Sequence, residues 1–321
     1  MLFPRDDIPW SGPIALPREQ ECEAIRRAPA YDVAAARAYI DVMPRLRALT
    51  EGLWDAEEPI AFGPASPGTI PFERLRREIG RLCACGHKVS LIMADAATQS
   101  GVAFRSAARM CTQSTVKAVY VGAVLENRPQ ALAENGQYMR DAIVLSSNLA
   151  YERLRTIYGP GPLRAWCREA GVDDSFAAAD YPRDKTARDM FRLWTRLYRF
   201  LNGGADRHNF AAYYAGSIAS AARERLGGRY PVQSKAGWEN GLDESADYDP
   251  AAPIPARFTD GDPLNDECAI NDTGIVYTPR GPYLFVIYTD RPFGIFRNYT
   301  TPNPLLRVTE ALCEVQKSLE T

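Results

Sequence analysis

The sequence predicts an α/β fold in which one antiparallel sheet, assembled from both ends of the chain, lies beside a block of helices. Three observations carry that expectation. Strand-like patterning appears between about residues 86 and 110, amphipathic helical segments fill the middle, and three further strand-like stretches and a helix close the chain. At 321 residues and 46% apolar content, the chain is long enough to bury a core of ordinary size.

Residues 1–71 are expected to form an extension with no readable function. A proline-punctuated start leads to an apolar-periodic helix from about Asp32 to Trp54, followed by Pro59, Pro64, Pro67 and Pro71. The main domain is expected over residues 72–321. Phe72, Leu75, Ile79 and Leu82 define one helical face that Gly86 ends. Val89, Leu91 and Met93 alternate as a strand, and after a turn around Thr98-Gln99-Ser100 a second strand is expected from Gly101 to Met110. The helical block spans 114–226. Ser114 opens a helix carrying Val116, Val119, Tyr120, Ala123 and Val124; a second covers Asn148 to Tyr158, with Ala150, Leu154 and Ile157 inward. A third runs from Thr186 to Leu201, where Thr186 and Asp189 resemble a capping box and Gly203 is a stop signal. An alanine-rich helix follows from His208 to Leu226. The sheet resumes over 229–290 with strands Tyr230 to Lys235, Thr273 to Thr278 and Tyr283 to Thr289, and the last helix buries Leu305, Val308, Leu312, Val315 and Leu319.

Composition excludes several classes of function. Lys+Arg of 38 against Asp+Glu of 40 leaves a net charge of −2, so no bulk basic field recruits nucleic acid or an anionic membrane. The seven cysteines, Cys22, Cys83, Cys85, Cys111, Cys167, Cys268 and Cys313, are odd in number and lack a C-x-x-C pair, as expected of reduced thiols. With only two histidines, neither a metal site nor any other cofactor is expected. No stretch approaches the ~18 apolar residues of a membrane helix. Met1-Leu2-Phe3-Pro4-Arg5-Asp6-Asp7 lacks the basic start and apolar run of an export signal, so the sequence reads as cytoplasmic, as would an exported chain trimmed of its signal.

Three short segments carry the chemistry: Ser114-Thr115-Val116-Lys117, Ser146-Ser147-Asn148 and Lys235-Ala236-Gly237. Each alone has a bland reading, as a helix cap, a capping run and a strand end. A chain of this length contains on the order of one S-x-x-K by chance. Their placement is less ordinary, since they fall on a helix start, an inter-helix loop and a strand leading into a sheet edge. On a helix, Ser114 and Lys117 share a face one turn apart, which brings an amine to a hydroxyl. A lysine removes a serine's proton only when burial or positive charge depresses its pKa, and Lys235 could supply that charge. Ser146 could pass the proton to a leaving nitrogen, and Asn148 could orient Lys117 and meet a substrate amide. The amides of Ser114 and Trp238 are candidate oxyanion donors, with Gly237 permitting substrate to approach the strand backbone.

These residues resemble the class A β-lactamase and penicillin-binding-protein (DD-peptidase) superfamily of active-site serine enzymes. The resemblance covers about residues 72–321 and extends to Asn271-Asp272-Thr273-Gly274-Ile275-Val276-Tyr277-Thr278-Pro279-Arg280-Gly281-Pro282-Tyr283, similar to the strand-turn-strand after that family's lysine-containing strand motif. It implies an antiparallel sheet flanked by helices with an all-helical subdomain. It further implies Ser114 as nucleophile, Lys117 as its base, Ser146 as proton shuttle, Asn148 as substrate and lysine contact, and Lys235, Ala236 and Gly237 as the binding strand. The expected partners are a small-molecule or peptide acyl donor and an amine acceptor.

Departures from the pattern narrow the expected chemistry. Ala236 replaces a Thr or Ser whose hydroxyl helps hold a substrate carboxylate, and Ser147 replaces an Asp. The family's deacylating glutamate has no counterpart between Asn148 and Thr186, where Asp173 or Asp174 lies nearest the expected spacing. An acyl-enzyme without that base is long-lived toward water, which favours a DD-peptidase or transacylase over an efficient β-lactamase. A β-lactamase with a different deacylation base and a non-catalytic binding protein on the same fold are the competing expectations. An insertion over 239–267, with nine acids against the single base Arg257, is expected to border the cleft and favour an amine-bearing substrate or acceptor.

Overall fold

A computed structural model describes residues 58–63, 72–84, 86–182, 184–203, 208–239, 269–291 and 303–319. The expected helix of residues 32–54 and, apart from Glu239, the acidic insertion lie outside them. In chain order the elements are β1 (Ile60–Phe62), α1 (Phe72–Cys83), β2 (Val89–Asp95), β3 (Gly101–Phe104), β4 (Arg109–Met110), α2 (Val116–Asn127), α3 (Ala131–Arg140), α4 (Asn148–Tyr158) and α5 (Gly161–Ala170). Then come β5 (Lys185–Thr186), α6 (Ala187–Asn202), α7 (His208–Ala215), α8 (Ala221–Leu226), β6 (Val232–Glu239), β7 (Ala269–Thr278), β8 (Gly281–Thr289) and α9 (Leu306–Ser318).

Six strands form one antiparallel sheet in the order β1-β3-β2-β8-β7-β6. The two chain ends meet at its centre, where Val89 to Asp95 of β2 pair with Tyr283 to Thr289 of β8. Because strand side chains alternate in direction, the sheet divides two cores. Ile92, Ala94, Leu284, Val286 and Tyr288 pack with the helical block, whereas Leu91, Met93, Phe285 and Ile287 pack with α1, α8 and α9. The expected strand pattern is thus present, buried on both faces.

The block is organised around α2, whose residues Val116 to Leu125 are all buried. Such a helix has no solvent face to make amphipathic, and each large apolar side chain it buries is worth roughly 1.5–3 kcal/mol. At the start of α6 Thr186 is the N-cap: its Oγ1 accepts from the Asp189 amide at 3.0 Å and donates to Asp189 Oδ2 at 2.7 Å, so the reciprocal bond comes from the hydroxyl and not from the Thr186 amide of a full capping box.

Several boundaries differ from the sequence expectation. The strand expected over Gly101 to Met110 breaks at Arg105, which turns left-handed at φ +43°, and Arg109–Met110 pair instead with Lys185–Thr186 in a separate two-stranded sheet. The helix expected from His208 to Leu226 is interrupted before Ser220, which caps α8, with Ala219 at φ +59°. Ile60–Phe62, assigned by sequence to the extension, adds the edge strand beside β3. Ile157, expected inward, is 40% exposed near the end of α4, while Ala150 and Leu154 are buried. Among the described residues no helix is long and apolar enough to cross a membrane.

Candidate functional site

The segment leading to Ser114 is gripped from two sides. The Asn271 side chain on β7 donates to the Cys111 carbonyl at 2.8 Å, and Thr112 gives both its amide and its hydroxyl to the Pro182 carbonyl. Gln113 then takes φ +46°, a conformation that non-glycine residues occupy only when their surroundings impose it. Ser114 follows within a 3-10 turn, Gln113–Thr115, and α2 proper begins at Val116. Ser114 is therefore not a helix cap, the bland alternative that its position in the sequence allowed. Its half-buried side chain sits in a tight turn that the neighbouring segments hold open.

Lys117, one turn into the block, is fully buried. Its Nζ donates to the Ser146 carbonyl at 2.5 Å and to Asn148 Oδ1 at 2.7 Å. The faces of Tyr151 and Tyr181 lie 5.7 and 5.5 Å from that nitrogen. Ser146 ends a π-helical turn, Asp141–Leu145, in the left-handed conformation, with φ +60°. That geometry lets one residue face two lysines: its carbonyl meets Lys117, and its Oγ accepts from Lys235 Nζ at 2.8 Å. Ser147 caps α4 by accepting from the Ala150 amide at 3.2 Å, so the serine in place of an aspartate still serves as a cap.

On the other wall, β6 carries Lys235, Ala236 and Gly237 along the sheet edge. Lys235 Nζ also donates to the Ala236 carbonyl at 2.6 Å and lies 5.6 Å from the Trp238 ring. Burial lowers the Lys235 pKa to about 7, against the raising influence of Asp272. Asp272 sits opposite Ala236 on β7, accepting from the Ser220 hydroxyl and the Ala222 amide at 2.9 Å each. Its own burial raises it to about 7, with those hydrogen bonds and Lys235 pulling it down. Ala236 is fully buried and offers no side-chain surface to a substrate. At Gly237 an added Cβ would stand 2.7 Å from the Ser114 nitrogen and 2.9 Å from that of Thr115. The glycine is thus required by the protein's own backbone, which brings β6 against the amides of Ser114 and Thr115.

The structure therefore brings Ser146, Asn148, Lys117 and Lys235 into one hydrogen-bonded cluster, and sets Gly237, two residues along β6 from Lys235, against the backbone of Ser114. The acids nearest the expected deacylation position are occupied elsewhere. Asp173 caps the 3-10 turn Asp174–Ala177, and Asp174 pairs with Arg168; both are exposed. One residue that the motifs did not flag also belongs to the cluster, Tyr181, whose hydroxyl donates to Asn148 Oδ1 at 2.7 Å, while Asn271 acts beside it by holding the Cys111 carbonyl. The sequence signals for them were an aromatic fixed by a following proline and a polar pair inside an otherwise apolar strand.

The sequence model of a family described as "Beta-lactamase enzyme family" matches residues 128–307, more than half of the chain. The chain belongs to the β-lactamase enzyme family. It is a serine hydrolase of that superfamily, and the match takes in Ser146, Asn148 and Lys235 and begins downstream of Ser114 and Lys117. Solved β-lactamases share its fold. The enzyme from Streptosporangium roseum is 19% identical, with a TM-score of 0.54 over 77% of this chain and 99% of its own. For that of Desulfarculus baarsii DSM 2075 the values are 19%, 0.52, 76% and 96%, and for that of Streptomyces albus G they are 17%, 0.52, 77% and 100%. No curated protein sequence matched. A separate cleft of about 390 Å³, lined by Arg74, Glu78, Arg225, Arg307 and Glu310 among others, lies by α1, α8 and α9, on the other side of the sheet from Ser114.

Proposed function

We propose that this member of the β-lactamase family forms an acyl-Ser114 intermediate from an amide, ester or β-lactam and releases it slowly to water. The observation that carries the proposal is the double engagement of Ser146, whose carbonyl holds Lys117 and whose hydroxyl accepts from Lys235. Ser114 Oγ attacks the substrate carbonyl as its proton passes to the Lys117 amine. The oxyanion develops at the amides of Ser114 and Trp238, where β6 meets the nucleophile turn. As the carbonyl carbon's bond to the leaving atom breaks, the Ser146 hydroxyl gives that atom a proton and recovers one from Lys117. Lys235 and Asn148 orient the substrate from either side. An acceptor then attacks the ester and restores the Ser114 hydroxyl. Slow loss to water is supported by the engagements of Asp173 and Asp174, and by the absence of any other acid with the expected sequence context between Asn148 and Thr186.

Incubation with a fluorescent penicillin and with an activated D-amino ester tests this directly. A covalent mass increase localised to Ser114, absent in Ser114→Ala and persisting for hours, is the expected result. No adduct with either donor would overturn acyl transfer at Ser114, and an adduct that hydrolyses within seconds would overturn the slow exit.

A further inference from the structure

The surroundings of Lys117 are filled from a segment the motifs leave out, residues 177–182. Arg155 on α4 clamps its start, donating to the Ala177 carbonyl at 3.1 Å and to Asp180 Oδ1 at 2.7 Å. The Tyr151 hydroxyl donates to the Asp180 carbonyl at 3.0 Å, and the Pro182 carbonyl takes the two bonds from Thr112. Tyr181 stands between these clamps, its ring 5.6 Å from that of Tyr151. Its hydroxyl and Lys117 Nζ converge on the same oxygen, Asn148 Oδ1, at 2.7 Å each, while its ring faces the lysine nitrogen. Burial, with the negative charges of Glu152 and Asp180, raises the phenol far above neutral pH, so it remains a donor. Aromatic faces and a shared acceptor together hold the lysine nitrogen in one place more firmly than either alone.

We propose that Tyr181 is the positioning residue for Lys117 and the cover that denies water the use of that lysine, so that acyl-Ser114 passes to an amine acceptor. The phenol fixes the Asn148 amide, which fixes Lys117 for the proton of Ser114. Lys117 has no exposed surface, and the Tyr181 ring is one of the faces that cover its nitrogen, so removing that ring opens a second approach for water to the lysine beside the acyl-Ser114 ester. An amine, itself basic, needs less help: its nitrogen bonds to the ester carbon, the bond to Ser114 Oγ breaks, and that oxygen takes the surplus amine proton through the Ser146 hydroxyl. The consequence for acceptor choice rests on the acyl-Ser114 reading; the positioning of Lys117 does not.

The experiment compares the parent with Tyr181→Phe and Tyr181→Ala, each checked for an unchanged melting profile. Acylation by fluorescent penicillin, and loss of the label to water and to glycinamide, are measured separately. Tyr181→Phe, which keeps the ring and loses the bond to Asn148, should acylate about tenfold more slowly and hydrolyse like the parent. Tyr181→Ala should hydrolyse its label at least tenfold faster, with the glycinamide rate nearly unchanged. In parallel, reductive methylation read by mass spectrometry should leave Lys117 unmodified in the parent and Tyr181→Phe and modify it in Tyr181→Ala. Equal acylation and hydrolysis in all three proteins would overturn the proposal, as would a Lys117 that stays protected in Tyr181→Ala. A parent that takes no label but shows the methylation pattern would overturn the acyl-enzyme reading and keep the positioning of Lys117.

Discussion

Ser146 carries two obligations at once, and its backbone shows the strain of meeting both. Holding a non-glycine residue left-handed costs on the order of 1–3 kcal/mol, and here it points the carbonyl at Lys117 and the hydroxyl at Lys235. Ser146→Gly should separate the two, relieving the strain and keeping the carbonyl contact while deleting the hydroxyl. The expected outcome is a melting temperature at or above the parent's, with acylation of Ser114 slowed about a hundredfold or more, read by thermal unfolding and label kinetics. The lysine beside it has its own pH signature. Lys235 titrates at about 7 instead of 10.5, so the folded state binds fewer protons between those values and stability rises with pH across that window. Asp272, raised from 3.8 to about 7, acts in the opposite sense: its contribution is complete below about pH 4 and is lost as pH rises through about 7. Asp272→Asn keeps an oxygen for Ser220 and Ala222 and removes the charge. Urea unfolding should then lose the decline between about pH 4 and 7. The deprotonation of Lys235 should move to lower pH, since the charge that raised its pKa is gone; the pH dependence of acylation by an anionic penicillin reads that shift.

Elements place these residues by touching at a few close points. Where β6 meets the turn before α2, Gly237 leaves no room for a methyl group. Alanine normally serves a strand better than glycine by about 0.5–1 kcal/mol, so the sign of Gly237→Ala is diagnostic. It should destabilise by about 1–3 kcal/mol in urea and suppress acylation, because the strand must withdraw from the Ser114 amide. A neutral or stabilising effect would mean that β6 does not rest against the turn carrying Ser114. This contact was only partly legible in the sequence, where Gly237 stood out beside Lys235 but its neighbour across the cleft did not. Helices with a sided apolar pattern, such as α1, α6 and α9, could be read from their periodicity, and α6 from its Thr186 cap as well. The entry to α2 could not: Ser114 looks like a cap, and only tertiary contacts from Asn271 and Pro182 force Gln113 left-handed and set the serine in a turn. α3 escaped notice because Asn135 and Gly136 interrupt its pattern with a kink, and α5 because its signals, Pro162 near the start and Gly171 after the end, frame a short apolar stripe. Tyr181 offered only the proline that follows it, because its partners, Asn148 and Lys117, lie far away in sequence on other elements.

At the scale of the molecule, the site exists because the sheet is closed late. β7 pairs with β6 from Val232 to Glu239 and with β8 from Asp272 to Thr278, and β8 completes the centre against β2. Every residue of β7 and all but the first of β8 are buried, so each holds apolar surface on both faces in addition to its ladder of hydrogen bonds. Asn271, on β7, also reaches the Cys111 carbonyl, which links the last third of the chain to the turn carrying Ser114. A chain cut once between Glu239 and Ala269 should therefore behave as one particle, since the pairing across β6, β7 and β8 does not depend on the connection. With a protease site placed there, the cleaved protein is expected to elute at the intact size, keep its label on Ser114, and separate into two fragments only in denaturant. Asn271→Ala in the cleaved protein should preserve the association and slow the labelling, because it releases the Cys111 carbonyl before the Ser114 turn and costs the sheet only the side-chain bond to the Thr289 amide, leaving the β7–β8 ladder. Fragments that part in buffer, or labelling lost on cleavage alone, would show that the sheet does not hold the site together in this way.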